Sequence, residues 1–257
     1  MKTRLWSQDE LKLAFHLYCQ LPFGKLHSRN PKIIELAGLI GRTPSSIAMK
    51  LVNFASLDPG ITDSGRKGLG NASDLDRKVW GEFHADWERL ALECDAILAS
   101  HGVNPVSNEI GDVVVDARAD YEGETRSATV QIRVKQRFFR LAVLASYDMK
   151  CCMTGLAVSE LLVASHIVPW AIDKKNRLNP RNGLCLSSLH DRAFDAGLIT
   201  VTEQHVIKVS GRLLKGKSNW LSSRALCDMH GKRIQLPARF YPDPAFLKYH
   251  HTKVFVA

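Results

Sequence analysis

No two of the six cysteines form a Cys-x-x-Cys pair. The spacing of the common four-cysteine zinc sites is therefore missing, and no structural zinc is expected. Six cysteines in 257 residues are also too sparse for the disulfide framework of a small secreted domain. Cys19, Cys94, Cys151, Cys152, Cys185 and Cys227 read instead as reduced, mostly buried, small hydrophobes. No apolar run approaches the roughly 18 residues that span a bilayer, and Met1 to Trp6 lacks the apolar core of a signal peptide. A cytoplasmic protein with no membrane partner is expected. Acidic residues are in the minority: 26 Asp and Glu face 35 Lys and Arg, a net charge of +9. That balance favours polyanionic partners, because each cation set against a phosphate releases condensed counterions. There is no internal repeat and no low-complexity tract.

What is present begins with helices. Ser7 and Glu10 stand in the capping-box arrangement, and Leu11, Ala14, Phe15 and Tyr18 recur at helical spacing up to Leu21. Pro31 opens a second helix over Lys32 to Ile40, which Gly41 stops. Thr43 caps a third, from Pro44 to about Phe54. After a Gly-containing loop, Ser73 caps a long helix predicted over Asp74 to Ser100. Gly111 to Ser127 is acidic, with Asp112, Asp116, Asp120, Glu122 and Glu124, and reads as a linker; Arg133, Lys135, Arg137 and Arg140 then turn the chain basic. Another helix is predicted from Gln136 to Tyr147.

Beyond it, four short apolar runs separated by polar turns are strand candidates: Leu161–Val163, Leu184–Leu186, Leu198–Val201 and Val206–Val209. A helix from Ser188 to Ala196 sits between the middle two. The tail from Ile234 to Phe255 reads as a Pro-punctuated strand and a short terminal helix. The resulting domain plan is a three-helix unit over 1–58, a loop and connecting helix over 59–110, a linker over 111–135 and a final domain over 136–257.

Three positions carry chemistry: His166 in Ser165-His166-Ile167-Val168-Pro169-Trp170, Asn182 in Asn182-Gly183-Leu184, and His190 in His190-Asp191-Arg192-Ala193-Phe194-Asp195. The order strand, loop, strand, helix puts the first histidine at a strand end and the second on a helix facing it. Phosphodiester cleavage needs a base to activate water and a cation to stabilise the charge that develops. A neutral imidazole can do either job. Asn182 can bond a backbone carbonyl or a ring N–H and hold the base in one tautomer, although Asn-Gly is also a common turn.

These residues resemble the HNH nucleases, whose shared core is the ββα-metal fold. The resemblance implies His166 as general base, Asn182 as the orienting residue and His190 as ligand of a divalent ion: Mg2+ first, with Mn2+, Ni2+ or Zn2+ as alternatives. Phe139 to Val201 is similar to a branch found among bacterial restriction endonucleases, with a Thr-Gly turn after a cysteine (Cys152 to Gly155) before the first histidine and His-x-x-x-Phe-Asp-x-Gly closing the motif. Ser165 departs from the family, many of whose members carry an aspartate there as metal ligand; a hydroxyl is a poor ligand for a hard cation. Asp195, with Asp191, is the candidate second ligand. Asp195 lies five residues from His190, off the i+4 face, so a hydrogen bond to the loop is its alternative role.

Trp6 and the three short helices resemble a Myb-type or helix-turn-helix unit. Such a unit implies a final helix in the major groove, with Ser45, Ser46, Lys50 and Asn53 facing outward and Arg42 near a phosphate. Asn and Lys carry donor patterns that read adenine and guanine. A plain three-helix packing module is the alternative. Arg137 and Arg140 either grip phosphates or lie on a solvated helix face.

The expected fold class is α+β: a C-terminal ββα-metal core behind an N-terminal Myb or helix-turn-helix-like domain. The expected function is a divalent-metal-dependent DNA endonuclease of restriction or phage-defence type. A non-specific nuclease toxin and a DNA-binding regulator with an inactive core are the alternatives. Double-stranded DNA is the expected partner, and a homodimer is left open.

Overall fold

The computed structural model describes residues 4–63, 65, 68–103, 126–216 and 219–257. It divides into two compact units, Met1–Ala145 and Ser146–Ala257. The acidic stretch from Gly111 to Glu124 lies outside the described residues.

In the first unit, helix α1 (Gln8–Gln20) carries the predicted capping box, with Ser7 Oγ accepting from Glu10 N and Glu10 accepting from Ser7 N. Its stripe of Leu11, Ala14, Phe15 and Tyr18 is fully buried. Asn30 caps α2 (Pro31–Leu39), and Gly41, at φ 64°, turns the chain out of it. Thr43 caps α3 (Pro44–Ala55), and a single turn, α4 (Pro59–Thr62), follows. The helix predicted over 74–100 is two helices, α5 (Asp74–Ala85) and α6 (Trp87–Ser100). Asp86 leaves helical geometry at φ −150° and ψ 87°, and its carboxylate accepts from Arg89 N at 3.0 Å, starting a second helix. The break lets both Phe83 and Trp87 pack on Phe15, with ring centroids 6.4 and 6.1 Å away.

Helix α7 (Arg126–Ser146) begins ten residues before the predicted start at Gln136. Val134, Phe138, Phe139, Ala142 and Val143 are buried. Up to Ala145 this helix groups with the N-terminal unit, whereas the sequence assigns 111–135 to a linker and 136 onward to the final domain. Its apolar face draws it into the first core. A cavity of about 480 Å³ lies among α1, α2, α6 and α7.

In the second unit, β1 (Leu162–His166) and β2 (Gly183–Ser187) pair antiparallel, with Ala164 opposite Cys185 and His166 opposite Gly183. Helix α8 (Ser188–Asp195) follows β2 directly and contacts both strands. Strands β3 (Ile199–Val201) and β4 (Ile207–Val209) form a second hairpin. All four strand candidates are therefore strands. Helices α9 (Gly211–Lys215), α10 (Trp220–Ala225) and α11 (Pro244–Tyr249) complete the unit, with a π turn over His250–Val254. The strand expected near Ile234 is absent among the described residues; Arg233 makes only an isolated bridge to Val206.

The tail is fastened over α8. His250 stacks on Phe194 at 3.5 Å between centroids and bonds Thr200 Oγ1 at 2.8 Å. Gly197, the last residue of the closing motif, sits at φ 68°, and a Cβ there would lie 2.2 Å from Val254 O. Only glycine allows both that turn and that approach.

Candidate active site

His166 ends β1, half-exposed at the mouth of the loop running to β2. Its Nε2 is 2.9 Å from the carbonyl oxygen of Arg177. A carbonyl only accepts, so Nε2 carries the proton and Nδ1 is the unprotonated nitrogen of the neutral ring. Burial lowers the pKa from 6.5 to about 4, opposed by the Arg177 carbonyl and reinforced by the Arg177 charge. The ring is therefore neutral at neutral pH, with Nδ1 its unprotonated nitrogen. Trp170 meets it edge-on at 5.5 Å.

The loop itself is held by internal bonds. Asp173 accepts from the backbone of Lys175 and Asn176 and from Asn176 Nδ2 at 2.7 Å. Arg177 donates through Nε to Trp170 O at 2.9 Å, with its guanidinium over the Trp170 ring. Asn182 is fully buried. Its Oδ1 accepts from Val168 N at 2.8 Å, and its Nδ2 donates to Val168 O at 3.1 Å and Asn176 O at 3.3 Å. One side chain thus ties both ends of the loop to its middle. It reaches His166 through that backbone, not by touching the ring's Nε2.

His190 lies in the first turn of α8 and is 3% exposed. Ser187 caps this helix and sits 2.7 Å from His190 Nδ1. His190 Nε2 is 2.8 Å from Ala225 O, at the end of α10. Burial lowers the pKa of His190 while the Ala225 carbonyl raises it. A strand-end histidine, a buried asparagine joining the two strands and a histidine on the next helix now stand in one ββα unit.

Residues 151–202 match the HNH endonuclease family. Comparison with curated proteins finds no significant match. Within the HNH segment the three predicted residues share the β1–β2–α8 unit. HNH nucleases generally use divalent metal ions. The donors here do not fit one as arranged. Among the described residues no group of three or more His, Cys, Asp or Glu side chains converges. Ser165 Oγ is buried without a hydrogen-bond partner, which leaves one weak oxygen donor on the residue before His166. His190 Nε2 is occupied by the Ala225 carbonyl. Asp195 is exposed in the last turn of α8, about 140° around the helix from His190, so the two are not brought to one point. Asp191 is half-exposed on the same helix.

The N-terminal expectations need correcting. Ser45 is exposed and Ser46 half-exposed, but Lys50 and Asn53 do not face outward. Lys50 is 8% exposed, with Nζ 2.9 Å from both carboxylate oxygens of Asp76. Asn53 is 8% exposed, its Nδ2 3.4 Å from Asn71 O. Helix α5 covers this side of α3. Arg42 stacks 4.0 Å over Trp6 and donates to Leu5 O and Glu10 Oε2, each at 2.7 Å, instead of standing ready for a phosphate. Arg137 is half-buried and lines the cavity of the first unit, and Arg140 is half-buried on the same helix.

Several site groups escape sequence reasoning. The carbonyls of Arg177 and Ala225 have no residue-type signature, since any residue supplies one. Ser187 has a detectable signal: a serine immediately before a helix, three residues from the histidine. Lys174 and Lys175, exposed on the loop that Asn182 closes, were legible as a basic pair.

Proposed function

We propose that the protein is a divalent-metal-dependent DNA endonuclease that hydrolyses phosphodiester bonds, with His166 as general base. The observation that carries this is the hydrogen bond from His166 Nε2 to Arg177 O, which leaves Nδ1 as the basic nitrogen on a neutral ring. In the step, a water gives one proton to Nδ1 as its oxygen bonds to phosphorus. The bond from phosphorus to the leaving sugar oxygen breaks, that oxygen takes a proton, and the imidazolium returns its own to solvent. The net change is one water consumed and one phosphodiester replaced by a phosphomonoester and an alcohol. Asn182 keeps the loop in register, and Lys174 and Lys175 neutralise neighbouring phosphates. A divalent ion would supply charge stabilisation at the phosphate; His190, whose Nε2 here meets the Ala225 carbonyl, would be its ligand.

A restriction or phage-defence role is the finer proposal, supported by a nuclease unit joined to a separate helical unit. The burial of Lys50 and Asn53 favours a second reading, a nuclease with little sequence preference, because it removes base-reading side chains from the surface of α3. Incubation of a supercoiled plasmid with Mg2+ or Mn2+ tests both. Discrete fragments support a recognised site, a smear supports the second reading, and intact plasmid under all divalent ions rejects the nuclease.

A further inference from the structure

The chain from Glu203 to Arg233 holds seven Lys and Arg against two Asp and Glu, a net +5 out of the whole protein's +9. Of the seven, Lys208, Arg212, Lys215, Arg224, Lys232 and Arg233 are exposed. They stand on one knitted piece of the second unit. Ile207 N donates to Lys232 O at 2.8 Å and Gly231 N to Ile207 O at 2.9 Å, so the chain over 231–233 runs along β4. Lys208 lies between the buried Ile207 and Val209, on the outer face of that strand. Cys227 Sγ lies 3.6 Å from Leu213 O, which ties the turn after α10 to α9.

Exposed apolar surface is set among these cations. Trp220 is 76% exposed, Leu221 54% and Leu214 46%. Trp220 and Arg224, four residues apart on α10, share a face of that helix. Arg224 also stands 3.2 Å from Asp228, an exposed pair that is weak enough for a phosphate to replace. The patch borders the candidate active site. Ala225, the last residue of α10, carries the carbonyl that meets His190 Nε2 at 2.8 Å. Trp220 opens the same helix, about 7.5 Å away along its axis. A partner for this surface must offer closely spaced anions to the cations and a flat apolar face to the indole. Nucleic acid offers both, in its phosphates and its bases. A second copy of the chain would set the same positive segment against itself.

We infer that α9, α10 and the edge of β4 form a DNA-gripping face, on which Arg212, Lys215 and Arg224 meet phosphates and Trp220 stacks on a base that has left the double helix. The inference rests on the reading of the protein as a DNA nuclease and gives that reading a substrate preference. The preferred DNA carries an unpaired or easily unstacked base next to the site. In an intact duplex the base must first be unstacked, a cost that a bulged base does not carry in full.

The test is fluorescence anisotropy on the full chain, carrying His166→Ala to prevent turnover, at several salt concentrations. The probes are a short duplex and the same duplex with an internal bulge. This parent chain should bind the bulged duplex about tenfold tighter. Adding Trp220→Ala should remove that difference and leave the salt slope unchanged, whereas Trp220→Phe should keep most of it. Lys215→Gln should weaken binding to both DNAs alike and flatten the slope of log affinity against log salt by about one. A parent without the preference, a Trp220→Ala chain that retains it, or an unchanged slope in Lys215→Gln overturns the gripping face and leaves the nuclease reading standing. A Trp220→Ala chain that binds DNA as its parent does but sediments as a smaller species assigns the patch to self-association and overturns the inference as well. Failure of the parent to bind either DNA overturns this inference and the nuclease reading together.

Discussion

The side-chain amide of Asn182 pairs with both backbone polar atoms of Val168, accepting from its N–H at 2.8 Å and donating to its carbonyl at 3.1 Å. A third bond, from Asn182 Nδ2 to Asn176 O at 3.3 Å, ties the residue before Arg177 to the same side chain, and the Arg177 carbonyl is what His166 Nε2 meets. Asn182→Ala should therefore lower stability by about 1–3 kcal/mol, the usual cost of stranding buried backbone groups, and lower the cleavage rate with it. Asn182→Asp should do no better, since it replaces a donor with an oxygen facing two carbonyls. Urea denaturation and plasmid nicking check this; a variant equal to wild type in both contradicts the positioning role.

Replacing His166 with alanine should reduce the rate roughly 10²–10⁴-fold, the usual contribution of a positioned base, while DNA affinity by fluorescence anisotropy stays within about twofold. Near-normal cleavage would assign the base elsewhere.

Lys50 serves packing in this structure. Lys50→Met leaves Asp76, fully buried, without its cation and should cost about 3–5 kcal/mol; Lys50→Met with Asp76→Leu should recover most of it. Thermal melts of the single and double variants measure the coupling. A single variant as stable as wild type but altered in the base preference of its cuts would restore Lys50 to base reading.

Chelation is the direct test of metal dependence. Exhaustive EDTA treatment should remove cleavage, and excess Mg2+ or Mn2+ should restore it. Persistent cleavage after chelation would leave the ion without a role.

Both units should weaken in acid. Burial lowers the pKa of His16 to about 3, with the Arg137 charge adding to the effect. In His250 burial lowers it to about 4, opposed by the Phe194 carbonyl and reinforced by His251. Unfolded, both titrate near 6.5, so between these values the unfolded chain binds more protons than the folded one. The stability they contribute is full above about pH 6.5 and is lost as pH falls through 4 and then 3, at up to about 1.4 kcal/mol per pH unit for each. Melting temperatures from pH 7 to 4 should fall, and less steeply in His250→Gln. An equal slope in that variant would remove His250 from the account.

The sequence alone determined most of the elements and where the candidate site residues stand on them. Capping residues and apolar spacing are local signals, which is why α1, α2, α3 and α8 lie close to their predicted spans and all four strands were found. His166, Asn182 and His190 stand on the strand, loop and helix that their motifs predicted, because a motif of fixed spacing inside one supersecondary unit brings its own geometry. What only the tertiary structure decided is set by contacts between segments distant in sequence. Asp86 breaks a helix that propensity would have continued, because Phe83 and Trp87 both pack on Phe15, about seventy residues away in sequence. Lys50 and Asn53 look solvent-facing on α3 until α5 and the chain leading into it cover them. The occupant of His190 Nε2 is a backbone carbonyl 35 residues further on. Backbone groups are the same at every position, so no residue type could announce it; only folding brings Ala225 there.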